Sequence, residues 1–175
     1  RNAKTMANAF VKKGYKVIIL TRNIAGKDRH EQVQFAVWSV QKQQIDITAL
    51  QQADYIIHLA GAGVVEKKWT AAYKKEIQDS RTESSSLIYE ALKNNENKVK
   101  AIISASAIGW YGADTEPVKP FTEDATADDS FLGQTCKRWE AGIEPVTTLG
   151  KRLVKFRIGI VLSNDGGALA EFKKP

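Results

Sequence analysis

Apolar residues follow two kinds of spacing along the chain, and each spacing predicts a different element. Residues 3–13 place Ala, Met, Phe and Val on one face of a helix that ends at Gly14. Residues 15–21 form a continuous apolar run, which is typical of a strand buried on both faces of a parallel sheet. A weaker strand is predicted at 33–38 and a clear strand at 54–60.

The rest of the chain continues this alternation of helices and strands. We predict a one-sided helix over 69–93, a strand over 99–105, a loop over 109–130, a helix over 131–149, a strand over 152–161 and a turn at 164–167. Such alternation indicates an α/β fold with a doubly wound parallel sheet, in which ligands bind beyond the carboxyl ends of the strands. Because no repeat or linker interrupts the pattern, we interpret residues 1–175 as one domain.

Composition and charge exclude several classes of protein. The 175 residues carry 26 basic and 20 acidic side chains, a formal charge of +6, but Lys and Arg occur singly or as doublets, as on an ordinary solvated surface. No nucleic-acid motif, membrane span or signal peptide is evident. The single cysteine favours a reducing, cytoplasmic location, and with only two histidines we expect no metal site.

Two segments that follow predicted strands carry charged residues that are candidates for cofactor binding. Arg22 follows the first strand, where dinucleotide-binding domains place an acid for the ribose hydroxyls of NAD or an arginine for the 2′-phosphate of NADP. Arg22 therefore favours NADP, although it could also be a surface arginine. Asp46 could accept a hydrogen bond from an adenine amine, or it could cap a short helix over 48–52.

Two further segments carry small or hydroxyl-bearing residues at strand ends. The run 59–63 is rich in Gly and Ala, which lets a flat ligand approach the backbone but also suits a tight turn. His58, inside the strand, is predicted to be a satisfied core histidine rather than a base. The hydroxyls of Ser104, Ser106 and Tyr111 could polarise a carbonyl or relay a proton, or else the serines satisfy backbone groups and the aromatic rings pack.

A set of short segments occurs in one order along essentially the whole chain. They are Thr21-Arg22-Asn23, Asp54 to Gly61, Trp69-Thr70, Asp79-Ser80-Arg81, Ser104 to Gly112, Phe131-Leu132, Trp139-Glu140 and Arg157 to Leu162. This set resembles the atypical extended short-chain dehydrogenase/reductases of the NAD-dependent epimerase/dehydratase type. Its most specific part is the run from Ser104 to Gly112.

The resemblance implies a Rossmann fold that binds NADP, with NAD as the other candidate. The residues it assigns to the cofactor are Thr21, Arg22, Asp46, Ile47, Leu59, Ala60, Gly61, Ala62, Ser104, Ala105, Gly159 and Ile160. It assigns Ser106 to orienting the substrate, and Tyr111 is the candidate proton donor. Arg81 falls at the position of the usual active-site Asn, where a cation could hold an anionic group of the substrate. The alternative is that Arg81 is a surface residue of the helix that forms an ion pair with Asp79 or Glu83.

The sequence departs from the pattern of the family in three ways. The first strand and the first two glycines of the glycine-rich loop would precede Arg1, so the sheet would lack its central strand. Leu132 and Cys136 stand at the positions of the usual Tyr-x-x-x-Lys acid/base pair, and Arg81 stands at the position of the usual active-site Asn. The resemblance also implies a C-terminal substrate-binding part, which we expect to lie beyond this sequence. We therefore expect an incomplete Rossmann domain that is insoluble or partly unfolded when these residues are made alone.

These observations predict an NADP-dependent oxidoreductase or epimerase that acts by hydride transfer on a carbonyl or sugar-nucleotide-like substrate. Because the acid/base pair is absent, an NAD(P)-binding sensor without turnover is the alternative. Arg22 argues against a doubly wound methyltransferase, which would place an acid there. The expected partners are a dinucleotide and a small-molecule substrate, without specific nucleic acid or a membrane, and a homodimer is one form that the protein could take.

Overall fold

The computed structural model describes residues 2–27, 31–64, 67–114, 116–162 and 169. Its α-helices are α1 (Asn2–Lys12), α2 (Ile47–Gln52), α3 (Ala71–Asn94) and α4 (Phe131–Ile143). Its strands are β1 (Val17–Thr21), β2 (Val33–Ser39), β3 (Gln44–Ile45), β4 (Tyr55–His58), β5 (Ala101–Ala107) and β6 (Arg152–Ile158). Short 3₁₀ helices cover Ile108–Trp110 and Glu144–Leu149. Within these ranges, every helix is too short or too polar to cross a bilayer.

The strands form two three-stranded sheets. β1 pairs in parallel with β2, and β2 pairs antiparallel with the two-residue β3, which is too short for the sequence pattern to predict. β4, β5 and β6 are all parallel, with His58 opposite Ser104 and Ser106 opposite Arg157. Because α3 connects β4 to β5 and α4 lies between β5 and β6 in the sequence, the predicted α/β class with a parallel sheet is confirmed.

A groove of about 760 Å³ separates the two sheets, and both β1 and β4 line it. Its apolar walls include Phe10 of α1, Val17 of β1 and Ile57 of β4. The groove lies where the resemblance expects a central strand, and the residues on its β4 side are exposed, Tyr55 by 55% and Ile57 by 37%. Unpaired strand edges invite association, which is the physical basis for expecting poor solubility.

The main hydrophobic core lies between α3, α4 and the β4–β6 sheet. Its buried members are Leu50, Ile88, Ala91, Leu92, Val99, Ile102, Ile143 and Val146. The apolar face predicted for the long helix is therefore the buried face of α3. Ser84 and Ser85, which weaken the helical pattern in the sequence, are buried, and their hydroxyls donate to the carbonyl of Arg81 at 3.0 and 2.8 Å.

The elements end where local backbone chemistry dictates. Gly14 adopts φ +85° after α1, its N–H donates to Val11 O, and Tyr15 N–H donates to Phe10 O, which is the pattern of a Schellman motif. The rings of Phe10 and Tyr15 pack edge to face across this turn, 5.8 Å between centroids. The predicted glycine cap is thus confirmed. Tyr15 belongs to the cap, so β1 begins at Val17 rather than at residue 15.

The last two elements are shorter than predicted. α4 ends at Ile143, and the chain continues as a 3₁₀ helix through Pro145, which has no N–H to extend an α-helical ladder. β6 ends at Ile158, three residues before the predicted strand end. The turn predicted at 164–167 lies outside the described residues.

The loop between β5 and α4 is held against the first turn of α4. Asp128 N–H donates to Trp110 O and the Trp110 indole donates to Ala125 O, both at 2.8 Å. A Cβ built on Gly133 would lie far inside van der Waals contact with the carbonyl oxygen of Asp128. The absence of a side chain at Gly133 therefore lets the loop pack on α4.

We expect Gly133→Ala to lower the free energy of unfolding by about 1–3 kcal/mol, because the added methyl group must displace the backbone of Asp128. Gly142→Ala in the same helix is the matched control, since its Cβ would meet Ser85 at an ordinary 3.4 Å. That control should be neutral or stabilising by up to about 1 kcal/mol through helix propensity. Urea unfolding of both variants measures the difference, and equal effects would contradict the close approach.

His58 is the satisfied core histidine that the sequence predicts. It is 2% exposed, with Nε2 2.9 Å from Ser84 Oγ and Nδ1 3.3 Å from Ser104 Oγ. Since the Ser84 hydroxyl donates to the Arg81 carbonyl, the network is satisfied when Nε2 carries the ring proton and Nδ1 accepts from Ser104. Burial lowers the pKa of His58 to about 4.

This burial makes stability depend on pH. The unfolded chain binds a proton at His58 near its ordinary pKa of 6.5, whereas the folded chain does so only near 4, so the unfolded state gains protons first on acidification. The contribution of His58 is complete above pH 6.5 and is lost progressively down to pH 4, by about 3 kcal/mol in all. Measuring the unfolding free energy of wild type and of His58→Gln between pH 4 and pH 6.5 tests this contribution. If the free energies of the two proteins fall in parallel as the pH is lowered, His58 does not cause the pH dependence.

Candidate functional site

The segment after β1 turns sharply and leaves Arg22 exposed. The Thr21 hydroxyl donates to Asn23 O at 3.2 Å, and the Asn23 side chain accepts from Ala25 N–H at 2.8 Å. Within the described ranges, no hydrogen bond or ion pair involves the guanidinium of Arg22. It is therefore a free cation at the carboxyl end of β1.

Asp46 is the N-cap of α2. Its Oδ1 accepts from Ala49 N–H at 3.0 Å, which confirms the interpretation as a helix cap. Oδ2 has no bond to the described residues, so the adenine contact stays a prediction. Ile47, next along the chain, is half-buried and packs against the main core.

The loop after β4 packs on α3 through small residues. Ala62 N–H donates to Ser80 Oγ at 2.9 Å, and a Cβ built on Gly61 would lie 3.0 Å from Arg81 Cζ. Ala60 is half-buried, while Leu59 lines the groove between the two sheets. Gly61 thus lets the backbone of this loop approach the guanidinium of Arg81.

Three of the candidate site residues lie at the end of β5, and all three are buried. Ser104 is 1% exposed and bonds to His58, so its hydroxyl serves the core. Ala105 is 7% exposed. Ser106 is 2% exposed and donates to Glu140 Oε1 at 2.6 Å, so it bonds to a side chain rather than to a backbone group. Beyond the neighbouring β6, residues 159 and 160 are exposed.

Glu140 of α4 is a buried carboxylate shared by three partners. Arg157 Nε donates to Oε1 at 2.9 Å and Arg157 Nη2 donates to Oε2 at 3.2 Å, and Ser106 donates to Oε1. Lys155 Nζ lies 3.7 Å away. Burial alone would raise the pKa of Glu140, but these hydrogen bonds and positive charges outweigh it and leave the pKa below its ordinary value.

Arg157 extends this network to the loop after β5. Its Nη1 donates to Tyr111 Oη at 3.1 Å and to Glu123 O at 2.8 Å, and its Cζ lies 3.7 Å from the ring centroid of Trp110. Tyr111 stacks on Phe121 with centroids 5.1 Å apart. The hydrogen bond to Glu140 is the main cause that raises the pKa of Arg157 further, so its charge is permanent. Arg157 therefore positions Tyr111.

Arg81 is half-buried against α4. Its Nη1 donates to Ile77 O at 2.8 Å, and its Cζ lies 4.8 Å from the ring centroid of Trp139. The ion pair with Asp79 or Glu83 that a surface helix would offer is absent from the described part of the chain, where Asp79 pairs with Lys75 instead. That alternative is wrong. Burial lowers the pKa of the Arg81 guanidinium.

Cys136 of α4 lies at the end of β5. Its Sγ donates to Ala107 O at 3.6 Å and lies 3.8 Å from a Cβ built on Gly109. Burial raises the pKa of this thiol, which keeps it protonated. We call the side chains near the carboxyl ends of β4, β5 and β6 the strand-end cluster; they are Arg81, Cys136, Ser106, Glu140, Arg157 and Tyr111.

The sequence prediction missed Glu140 and Arg157 as site residues. Both belong to segments that carry the family resemblance, and Arg157 interrupts an apolar strand pattern. A charged residue inside such a strand needs a partner when it is buried, and that is the signal that could have identified the pair.

The described residues fit part of a dinucleotide site. The free cation at Arg22 suits a phosphate, and exposed backbone follows the ends of β4 and β6 at Gly61 and Gly159.

Known proteins resemble the chain in both sequence and fold. An epimerase family protein of Staphylococcus saprophyticus is 33% identical over 171 residues, covering 97% of this chain and 55% of that protein. One from Mycobacterium bovis is 32% identical over 136 residues, covering 78% and 44%. The chain thus spans about half the length of the curated relatives it matches.

Solved structures agree with the fold. A nucleoside-diphosphate sugar epimerase from Corynebacterium glutamicum has a TM-score of 0.76 at 29% identity, covering 97% of this chain and 34% of that one. A human epimerase family protein solved with NADPH has a TM-score of 0.68 at 21% identity, covering 96% and 52%. Residues 3–136 match the family model described as the NAD dependent epimerase/dehydratase family. The chain belongs to that family.

Proposed function

We propose that this chain is the cofactor-binding part of an NADP-preferring oxidoreductase or epimerase. The reaction is hydride transfer between the nicotinamide and a carbonyl or alcohol of a sugar-nucleotide-like substrate. The observation that carries the proposal is the strand-end cluster: Glu140 and Arg157 link Ser106 to Tyr111 beyond the end of β5, and Arg81 lies against the loop that follows the neighbouring β4. Family membership and the Corynebacterium glutamicum sugar epimerase support the same reaction class.

The cofactor contacts proposed are those that the family resemblance assigns at the strand ends. Arg22, free and exposed, supports NADP, whose 2′-phosphate it would bind with charge-assisted hydrogen bonds. The human relative was solved with NADPH, whereas a Bacillus cereus UDP-glucuronic acid 4-epimerase of the same fold was solved with NAD. When bound, the nicotinamide supplies or accepts the hydride.

The side chains of the cluster would divide the remaining work. Ser106 gives its hydroxyl proton to Glu140, so its oxygen offers a lone pair that can orient a substrate hydroxyl. Tyr111 accepts from Arg157, which leaves the phenolic proton free to be donated. Arg81 supplies positive charge near the reacting oxygen.

A non-catalytic NADP sensor is the second candidate. It is favoured by Leu132 and Cys136, because leucine has no proton to transfer and burial keeps the Cys136 thiol neutral. A homodimer and a cytoplasmic location go with either candidate as predictions.

We expect the purified protein to bind NADPH at least about tenfold more tightly than NADH, and Arg22→Gln to lose most of that preference. The control is Lys27→Gln, which removes a nearby exposed charge that lies over the ring of Phe35. Fluorescence titration with both cofactors measures the ratio. Equal affinities in wild type would make Arg22 a surface residue, and absence of binding would refute the cofactor site.

We expect Ser106→Ala to reduce turnover by about a hundredfold with little change in NADPH affinity, because the serine orients the reacting oxygen. Ser86→Ala, at an exposed position of α3, is the control. NADPH oxidation is followed with a panel of carbonyls and sugar nucleotides. Unchanged turnover in Ser106→Ala would remove this residue from the mechanism. NADPH binding without turnover on any compound would favour the sensor.

A further inference from the structure

The guanidinium of Arg81 lacks most of the acceptors that it could use. It has five N–H donors, and among the described residues it donates only to the carbonyl of Ile77. That carbonyl satisfies one donor and carries no formal charge. The face of the guanidinium rests on the ring of Trp139, which is also uncharged. A half-buried cation of this kind is destabilised by desolvation until an anion joins it.

Trp139 adds a second donor without a partner. The residue is 6% exposed, and its indole Nε1–H is the buried side-chain polar group that has no hydrogen bond within the described part of the chain. Leaving such a buried donor unpaired is unfavourable, because it has lost its hydrogen bond to water without gaining another. Two adjacent residues, Arg81 and Trp139, therefore both need hydrogen-bond acceptors.

The acidic side chains near Arg81 are engaged elsewhere or exposed. Asp79 pairs with Lys75, and Glu83 is exposed on α3. On α4, the carboxylate of Glu140 is held by Arg157 and Ser106. The other groups that act on Arg81 are the thiol of Cys136, whose pKa is raised by burial, and the phenol of Tyr73, whose hydroxyl donates to the carbonyl of Gly63. No described carboxylate competes for this cation.

The position of Arg81 connects it with the proposed reaction. It lies against Gly61, in the loop that follows the carboxyl end of β4, and β4 pairs directly with β5, whose end carries Ser106. Ligands of open α/β sheets bind at this edge. A group held by Arg81 would therefore belong to a molecule whose reacting part lies near Ser106.

We propose that Arg81 and Trp139 form a site for an oxyanion of the substrate, a carboxylate or a phosphate. This inference rests on the proposed function and names its substrate class: an acidic carbonyl or alcohol compound. The guanidinium supplies charge and N–H donors, and the indole N–H supplies a further donor. The ring of Trp139 keeps the guanidinium in place by cation–π contact.

The test measures anion binding directly, with glucuronate as the carboxylate probe and inorganic pyrophosphate as the phosphate probe. Calorimetric titrations are made at constant ionic strength, with and without saturating NADPH. We expect wild type to bind at least one probe and Arg81→Gln to bind it at least about tenfold more weakly. Arg138→Gln is the matched control, because this exposed arginine of α4 bonds to Gln78 outside the site.

Trp139→Phe separates an anion-binding role from a structural one. Phenylalanine keeps an aromatic ring beneath the guanidinium and removes the unpaired N–H. We expect the variant to bind the probe several-fold more weakly than wild type, because the N–H that would donate to the oxyanion is lost. A merely structural Trp139 would change stability and leave anion affinity unchanged.

The outcomes assign failure to one proposal or the other. Binding of only one probe identifies the oxyanion as a carboxylate or as a phosphate. If wild type binds neither probe, or if Arg81→Gln and Trp139→Phe bind as wild type does, the oxyanion site is wrong. If Arg81→Gln instead weakens NADPH, the cation serves the cofactor and the substrate assignment is overturned. If NADPH does not bind to wild type at all, the proposed function fails while the NADPH-free titrations still decide the oxyanion site.

Discussion

The buried negative charge of Glu140 organises this end of the molecule. A carboxylate at 4% exposure is tolerable only when it is paired, and Arg157, Ser106 and Lys155 provide the pairing. Ser106 lies on β5, Arg157 and Lys155 lie on β6, and Glu140 itself comes from α4. Arg157 also donates to Tyr111. The ion pair of Glu140 and Arg157 therefore holds together α4, β5, β6 and the loop that follows β5.

Desolvation acts in one direction throughout the space between α3, α4 and β5. It lowers the pKa of His58, raises that of Cys136 and lowers that of Arg81, so each group is pushed towards its neutral form. The pair of Glu140 and Arg157 keeps its charges because they compensate each other. Electrostatic interactions of a bound ligand would be strengthened in the same environment, which is why an uncompensated Arg81 is chemically important.

The sequence was sufficient to predict those elements that a local pattern of residues determines. Continuous apolar runs located the parallel strands, and a glycine after an amphipathic stretch located the cap of α1 at Gly14. Strand ends led to Ser106 and Tyr111 as candidates, because parallel strands finish at one edge. The short β3 and the change to a 3₁₀ helix at Pro145 depend on individual hydrogen bonds, so their exact limits were not predictable.

Long-range contacts in the site were beyond the sequence. The meeting of Glu140 with Arg157 depends on the rotation of α4 and on the pairing of β6 with β5, which no local pattern specifies. The surface pairing considered for Arg81 had a local flaw, since Asp79 and Glu83 lie two residues away and two-residue neighbours do not share a helix face. The turn of α3 carries Arg81 to Trp139 instead.

The alignment of Arg157 with Ser106 in adjacent strands also gives β6 a means of selecting its register. A slip of one residue would bring Phe156 or Ile158 opposite Ser106, and the Glu140 carboxylate would then be buried beside a hydrocarbon side chain without its counter-ion. Breaking a buried pair in this way costs about 3–5 kcal/mol, a large part of the stability of a small domain. Misregistered arrangements are thereby penalised during folding, so the same ion pair that shapes the site discriminates against incorrect sheets.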